Sequence, residues 1–535
     1  MTDPSSAVAR FSAAVALVHH GALALLVLTA STPYRLTAQC PDGTPPPCRG
    51  ARAAAVPAAN SVAVLYFENQ SRDSSDAYLA EGLTEAIITQ LGDLPRLTVK
   101  SRFLVRRYQG GAAPADPAAI GRALGVTYLV TGSVQRAGNR LRVTAELARA
   151  ASGDRVWGQQ YDRGDGDVFA IQEDIARGVA TGVAGRLLPA EAASLAARPT
   201  RNHSAYDHML RGDVLLARRS PASVQGAIAQ YEAAGRLDPS LASAWARIGL
   251  ADAIRLNWGW GDGTPPPDSV LANGWVAADR ALALDSTSSD GWMARGYLSM
   301  YRHPRTWDGA EEGLRRAVAL NPRNAEAWQQ LGDLLGSKGV GHPVADSVQR
   351  AAMIAYQHAL AIEPSRPTTL KVLANVQPSA RERLVLLDSA LSLNPDDYSI
   401  HFWRSTALAM LGDTARARSS ADEMLRRAPE GGRVQATAFR AERAAQLGDT
   451  ADARVRVEAL LRDLPRAGPI ELWTGSSIVT TLWQLGDRQR AVEILGRLPL
   501  SSLSWERNLA TLRRLDLTDP VQRRLYEENR PPWAQ

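Results

Sequence analysis

Cysteine and lysine are nearly missing from this chain, and aromatic residues are sparse. The 535 residues include two cysteines, Cys40 and Cys48, too few for a structural zinc site, which takes four ligands. Lysine occurs only at Lys100, Lys338 and Lys371, so arginine supplies almost all of the 61 basic residues behind the net charge of +6. Those arginines are scattered among acidic residues without a basic block or aromatic interleaving, a pattern of solvated helix faces rather than of nucleic-acid binding. Histidine is also scarce. Only His203 and His208 are close, and their spacing misses the i, i+4 geometry that puts two metal ligands on one helical face. Phosphate loop, nucleophile elbow, and the Gly-rich, strand-lysine and HRD-type signatures of a kinase are all missing. Gly259, Gly261 and Gly263 alternate with Trp260 and Asp262 but follow no strand, so they read as a turn. The expectation is a non-enzymatic chain with no catalytic, metal or cofactor-binding residue.

What is present is apolar and helix-favouring. Hydrophobic residues make 45 % and aromatics 6 %, with abundant Ala, Leu and Arg, whose side chains lose little freedom in helices. The length suggests about three domains' worth of structure. Residues 11–30 form an uncharged run just long enough to span a bilayer, so residues 1–38 read either as a transmembrane anchor or as a signal peptide cleaved before Gln39. Either one exports the rest of the chain. Cys40 and Cys48 enclose PDGTPPP and are expected to close a small disulfide loop in an oxidising compartment, within a Pro/Ala-rich linker over 39–60.

A small α/β domain is expected over 61–188. Ser61–Phe67 is a β-branched apolar run and reads as a buried strand. Leu79, Leu83, Ala86, Ile87 and Leu91 share one face of a helix from Ala77 to Leu94, stopped by Pro95. A short strand at Leu97–Lys100, a helix at Pro117–Leu124 closed by Gly125, and a strand from Thr127 give two successive βαβ units. Ala137, Gly138 and Asn139 then turn into a hairpin ending near Ala148, and Arg155–Tyr161 adds a strand. The phrases VAVLYFENQS (62–71), YLAEGLTEAIITQL (78–91), IGRALGVTYLVTGSV (120–134) and VWGQQYDR (156–163) resemble the bacterial domain similar to the amino-terminal part of TolB, often joined to tetratricopeptide repeats. That resemblance implies an export-associated interaction domain with no catalytic residues, and hence a periplasmic location, soluble or held to the inner membrane by one helix.

From about 205 to 500 the sequence repeats with a period near 34, that of the tetratricopeptide (TPR) helix pair. Trp328, Leu331 and Gly332 match its opening, and Ala227/Tyr231/Pro239, Ala310/Leu314/Pro322 and Ala352/Tyr356/Pro364 match its close. LGDTA occurs at 411–415 and 447–451, and LGD again at 485–487. This gives about eight repeats, with inserts near Asn257–Asp268 and Gly336–Ala345 and a capping segment with tail over 501–535. The fold class is therefore a small mixed α/β domain followed by an all-α superhelical solenoid. Its concave groove suits a protein or peptide ligand, and the inward positions by repeat register are Met293, Tyr297, Gln329 and Asp333; Met293 reads equally as repeat core. Two functions compete: an exported scaffold binding envelope proteins, and a sensory or regulatory component of a kinase or adenylate cyclase pathway whose catalytic domain is on another chain.

Overall fold

The computed structural model describes residues 58–111, 116–196, 198–258, 267–301, 307–339, 345–464, 470–498 and 512–529. The apolar run at 11–30 and the Cys40–Cys48 loop lie outside them. Among the described residues no helix is long and apolar enough to cross a membrane.

The first part is a mixed sheet ordered β3-β1-β4-β5-β6, with β2 beside β4. Its strands are β1 (Ser61–Val64), β2 (Glu68–Asn69), β3 (Thr98–Val99), β4 (Tyr128–Ala137), β5 (Arg140–Arg149) and β6 (Arg155–Gly164). β1 runs parallel to β3 and β4, and β4, β5 and β6 form an antiparallel meander. Helix α1 (Ala77–Gly92) buries Leu79, Leu83, Ile87 and Leu91. A one-turn helix α2 (Arg102–Val105) precedes α3 (Pro117–Leu124), which lies within its expected bounds for a local reason. Asp116 accepts from the N–H groups of Ala118 and Ala119, Pro117 sits where no partner is needed, and Gly125 at φ 61° ends the helix, the cap chemistry expected of those residues. The β4–β5 turn pairs Ala137 with Arg140 around Gly138 at φ 62°.

Three expectations shorten, among them the strand expected at Leu97–Lys100, which narrows to Thr98–Val99. The first strand stops at Val64, because the Phe67 N–H donates to Thr84 Oγ1 at 3.0 Å and the chain re-enters the sheet as β2. The helix ahead of Pro95 ends at Gly92. Besides the short α2 and a short helix at Pro189–Ala196, one long helix goes beyond the expected elements: α4 (Val168–Ala184), which buries Ile171, Ile175, Val179 and Ala180. It lies so close to β6 that a Cβ on Gly178 would come within 2.4 Å of the Trp157 ring. A short α5 (Pro189–Ala196) leads out of the domain.

Eight helix pairs follow among the described residues: α6 and α7 (His203–Ala217, Pro221–Leu237), α8 and α9 (Ala242–Trp258, Pro267–Leu284), α10 and α11 (Ser289–Ser299, Trp307–Leu320), α12 and α13 (Ala325–Gly339, Ala345–Ile362), α14 and α15 (Pro367–Val376, Ala380–Leu393), α16 and α17 (Tyr398–Met410, Thr414–Arg427), α18 and α19 (Arg433–Gln446, Thr450–Asp463), and α20 and α21 (Leu472–Gln484, Arg488–Leu495). Both expected inserts shrink: Asn257 lies inside α8 and Asp268 inside α9, while Gly336 lies inside α12 and Ala345 opens α13. Leu512, Leu515 and Leu525 of the last described stretch, which holds α22 (Pro520–Asn529), pack on the final pair.

Sequence dictates the turns inside the pairs. Each LGD places its glycine in the left-handed region (Gly412, Gly448 and Gly486, φ 77–83°). The following Asp N–H returns to the carbonyl of Leu408, Ala444 or Leu482, a Schellman closure of the first helix. The same Asp side chain then caps the second helix by accepting from the N–H of Arg416, Asp452 or Arg490. Packing within a pair uses a glycine facing a tyrosine. A Cβ on Gly212 would lie 2.4 Å from Tyr231, and one on Gly332 2.5 Å from Tyr356. Both tyrosines donate to the Asp following that glycine, Asp213 and Asp333, each at 2.8 Å. Trp292 and Trp328 bind the loop behind them, donating Nε1–H to the carbonyls of Ser286 and Pro322 at 2.9 Å.

His401 takes the corresponding place in α16, fourth residue from the helix start. It is 6 % exposed, and burial, with Arg427 and Arg404 nearby, pulls its pKa down to about 4 while Asp397 opposes. The unfolded chain takes up this proton near 6.5 and the folded chain only near 4, so stability falls as pH drops through that window. The full difference is about 3 kcal/mol. His401→Leu is expected to flatten this part of the curve; urea midpoints at pH 7 and pH 4.5 for both proteins check it, and equal losses would assign the acid sensitivity elsewhere.

Candidate binding site

The α/β domain and the first helix pairs are packed directly together. One buried apolar cluster runs from Val62 through to Leu373, so domain and first repeats share a core. Polar contacts fix their register. The Tyr78 hydroxyl donates to Asp207 at 2.6 Å and accepts from Arg211 at 2.8 Å and Arg136 at 3.1 Å. Burial and Asp207 push this phenol up to about 12, so it stays a donor. Tyr206 donates to Gln172 at 2.5 Å and stacks on Phe169 with centroids 3.9 Å apart. Farther along, Arg323, in the turn between the third and fourth pairs, donates to the Gly92 carbonyl.

A set of charges joins helix pairs far apart in sequence. Arg219, between α6 and α7, reaches Glu326 of α12 at 3.0 Å. Glu326 also binds Arg366, which donates to Glu363 at 2.8 Å. Arg247 lies 3.3 Å from Asp213 and 3.5 Å from Asp290. Arg219 is the one non-glycine residue at positive φ (50°) among those described, a conformation disfavoured for a side-chain-bearing residue, held here by its reach across the groove. Burial works to raise the Glu326 pKa, but Arg366 and Arg219 outweigh it and hold the carboxyl at about 2.

A chamber of about 340 Å³ is lined by α8, α10, α12, α13, α14, α16, α18 and α20. Six of its eighteen lining residues are aromatic, Tyr297, Tyr356, Phe402, Trp403, Phe439 and Trp473, with Phe402 stacked on Phe439 at 4.3 Å. Polar groups are spaced between the rings. Lys371 donates to Asp397 at 3.0 Å and to Ser399 at 2.7 Å, and Gln435 accepts from Tyr398 at 2.9 Å. The superhelix closes on itself here. Trp473 of the eighth pair donates Nε1–H to the Asn257 carbonyl of the second at 2.6 Å, and Tyr301 donates to Asn257 Oδ1 at 2.9 Å. Gly431 likewise sits against Pro221, 3.3 Å from a Cβ placed there.

The four inward positions separate accordingly. Tyr297 and Asp333 line the chamber. Burial together with Asp333 and Glu326 raises the hydroxyl pKa of Tyr297. Met293 does not face the groove: it is 1 % exposed and packed in the apolar core, as a flexible thioether filling a gap between helices does. Gln329 does not either. Its Oε1 accepts from Arg366, Thr368 and Thr369 at 2.7–3.1 Å, tying α12 to α14. Repeat register missed the chamber residues of α16, α18 and α20 because their convergence depends on how far the superhelix turns. Among the described residues no group of three or more His, Cys, Asp or Glu side chains is placed to hold a metal.

No protein-family model matches the chain. It is 30 % identical over 245 residues to a curated protein of Rhizobium meliloti (strain 1021) named putative adenylate cyclase 3, a stretch covering 46 % of this chain and 40 % of that protein. The chain thus spans less than half the length of this relative. Among solved structures it is similar to a thermophilic TPR protein of Thermus thermophilus, at 18 % identity, 38 % coverage of this chain, 99 % of that one and a TM-score of 0.30. It is similar also to the human IFIT1 dimer with m7Gppp-AAAA, at 13 % identity, 62 % and 84 % coverage and a TM-score of 0.42. The helix pairs themselves, rather than these matches, define the solenoid.

Proposed function

We propose that the chain is a non-enzymatic scaffold that binds a short segment of a protein partner in its central chamber, with the α/β domain, which we read as similar to the TolB amino-terminal domain, offering a second docking surface. The observation that carries this reading is the chamber itself: a concave, mostly apolar site with a few polar groups is what ligand recognition requires, and here it is formed by stacked helix pairs. The export reading of residues 1–38, and with it a periplasmic, soluble or anchored location and a Cys40–Cys48 bond, belongs to the same proposal and is supported by the apolar run and the cysteine spacing. A second reading, a regulatory component of a cyclase or kinase pathway, is favoured by the partial likeness to a protein named an adenylate cyclase.

Affinity purification of the full chain from native cells, followed by rebinding with the purified candidate, separates the two. The scaffold reading expects envelope proteins that rebind directly; consistent recovery and rebinding of a cyclase or kinase would replace it with the regulatory one.

A further inference from the structure

Among the described residues β6 pairs with β5 and with no other strand, and its outer edge can be read residue by residue. The Arg149 N–H donates to the Asp154 carbonyl, while the Ala150 N–H turns the other way, to the Thr127 carbonyl ahead of β4. Odd-numbered residues of β5 therefore face β6. Their partners are also odd-numbered: Leu141 meets Arg163, Val143 meets Tyr161, and Ala145 meets Gln159. Opposed residues of this kind exchange both backbone bonds, and the residues between them turn outward. The N–H and C=O groups of Gly158, Gln160 and Asp162 thus point away from the sheet. One of them, the Asp162 carbonyl, accepts from Arg140 at 3.2 Å; the others meet no protein group among the described residues.

An unpaired row of donors and acceptors is a template for another strand, and sheets that stay alone blunt it with proline, charge, a bulge or a very short strand. Little of this protects β6. It has ten residues and no proline, and from Val156 to Tyr161 it carries no charge. Its one irregularity lies at the start, opposite Leu147 and Ala148. Val156 is exposed there, and α4 packs on the face of the strand that carries the Trp157 ring.

Charge narrows what can pair there. Arg140 and Arg142 both bind Asp162, at 2.8 and 2.9 Å, and Arg163 binds Asp174 at 2.9 Å. Arg155 is exposed and in no ion pair among the described residues. Its guanidinium lies over Gly158, where a Cβ would collide with it. Glu146 faces Gly158 from β5, so Arg140, Arg142 and Arg155 outnumber the carboxylates Asp162 and Glu146 and leave this side net positive. A second copy of β6 is a poor match, because antiparallel pairing brings its Arg163 towards Arg155. Resting on the docking role proposed above for the α/β domain, we propose that the outer edge of β6 takes an extended segment of a partner protein as an added strand. That segment is uncharged and β-branched over about five residues, as a strand beside Val156–Tyr161 favours, and carries an Asp or Glu where it meets Arg155.

The test selects random peptides of about ten residues on the full chain and measures the Kd of the enriched ones against four variants. Gln160→Pro removes an outward N–H at a place where a sheet edge tolerates proline, and should weaken binding at least about tenfold. Gln160→Ala keeps that N–H and should bind like the parent. Arg155→Glu, which breaks no ion pair of the described residues, should cost the acidic peptides about fivefold or more, the scale of an exposed charge pair, and turn a repeated selection towards basic ends. Gly336→Phe, in the chamber, should leave these peptides unaffected. Melting temperatures accompany each measurement, and Arg155→Glu still decides the matter if Gln160→Pro does not fold. Enriched peptides indifferent to both Gln160→Pro and Arg155→Glu, or no enrichment at all, would overturn the inference. Loss of binding in Gly336→Phe alone would also overturn it while supporting the chamber as the binding site. Sedimentation that shows the parent dimeric and Gln160→Pro monomeric would overturn it by giving the edge to a second copy.

Discussion

Replacing Glu326 by alanine is expected to destabilise the chain by about 3–5 kcal/mol, the loss typical when one partner of a buried ion pair is removed. The reason lies in what stays behind. Arg366 is 4 % exposed in its side chain and Arg219 24 %, and both aim at the Glu326 carboxylate from pairs far apart in sequence. Without it, the one carboxylate left to these two arginines among the described residues is that of Glu363, on Arg366, with little water to replace the lost charge. Gln330, which donates to Glu326 at 3.1 Å, loses its acceptor as well. Urea unfolding of parent and variant at neutral pH measures the effect, and a loss below about 1 kcal/mol, the value of an exposed pair, would show that this set of charges is solvated.

The same carboxylate fixes a pH dependence. Its folded pKa is held near 2 against an ordinary 4.5, so the unfolded chain binds the proton more readily. Its stabilising contribution is complete above about 4.5 and is lost as pH falls towards 2. This window lies below that of His401. Glu363 and Glu311, whose basic partners also outweigh burial and hold them low, contribute to the acid limb as well, so removing Glu326 should reduce the loss of stability there without abolishing it.

The second large effect is expected from Gly332→Val, at about 3 kcal/mol of destabilisation, the upper end of the overpacking range. A Cβ at this position would stand 2.5 Å from the ring of Tyr356, and valine adds two methyl groups beyond it. The ring cannot readily swing aside: it is 2 % exposed, and its hydroxyl is bound to Asp333 at 2.8 Å. Gly336→Ala, one helical turn on, is the internal comparison. It meets no close atom and replaces glycine inside a helix, so it should be neutral or stabilising by up to about 1 kcal/mol. Similar midpoints for the two variants would mean that the glycine–tyrosine contact does not set the spacing of the pair.

Local features were legible in the sequence wherever one or two residues dictate them. Asp116, Pro117 and Gly125 bound α3, Gly138 sets the hairpin, and each LGD closes one helix and caps the next. The Gly212/Tyr231 and Gly332/Tyr356 contacts are also visible as repeat positions, since each spans a single helix pair. The site was legible only in part. Tyr297 and Asp333 follow from repeat register, but whether an inward position ends in a chamber or in core depends on the curvature summed over several repeats. Met293 and Gln329 share that register and are buried by it. The bond from Trp473 to Asn257 and the line from Arg219 to Glu326 join residues many repeats apart, and no periodicity encodes them. Arg219 itself gives no signal in sequence, because arginine in the left-handed region is disfavoured by local sterics and selected here by a distant carboxylate.

Whether a partner is held inside the chamber is tested most directly by the Kd of a purified, directly binding partner for the parent chain and for Gly336→Phe, measured by calorimetry alongside the melting temperature of each. The expected result is at least about tenfold weaker binding with a melting temperature equal to or above the parent's, because the new ring fills the chamber without disturbing its wall. Unchanged affinity in a stably folded Gly336→Phe protein would contradict binding in the chamber and move the binding surface to the outside of the solenoid or to the α/β domain.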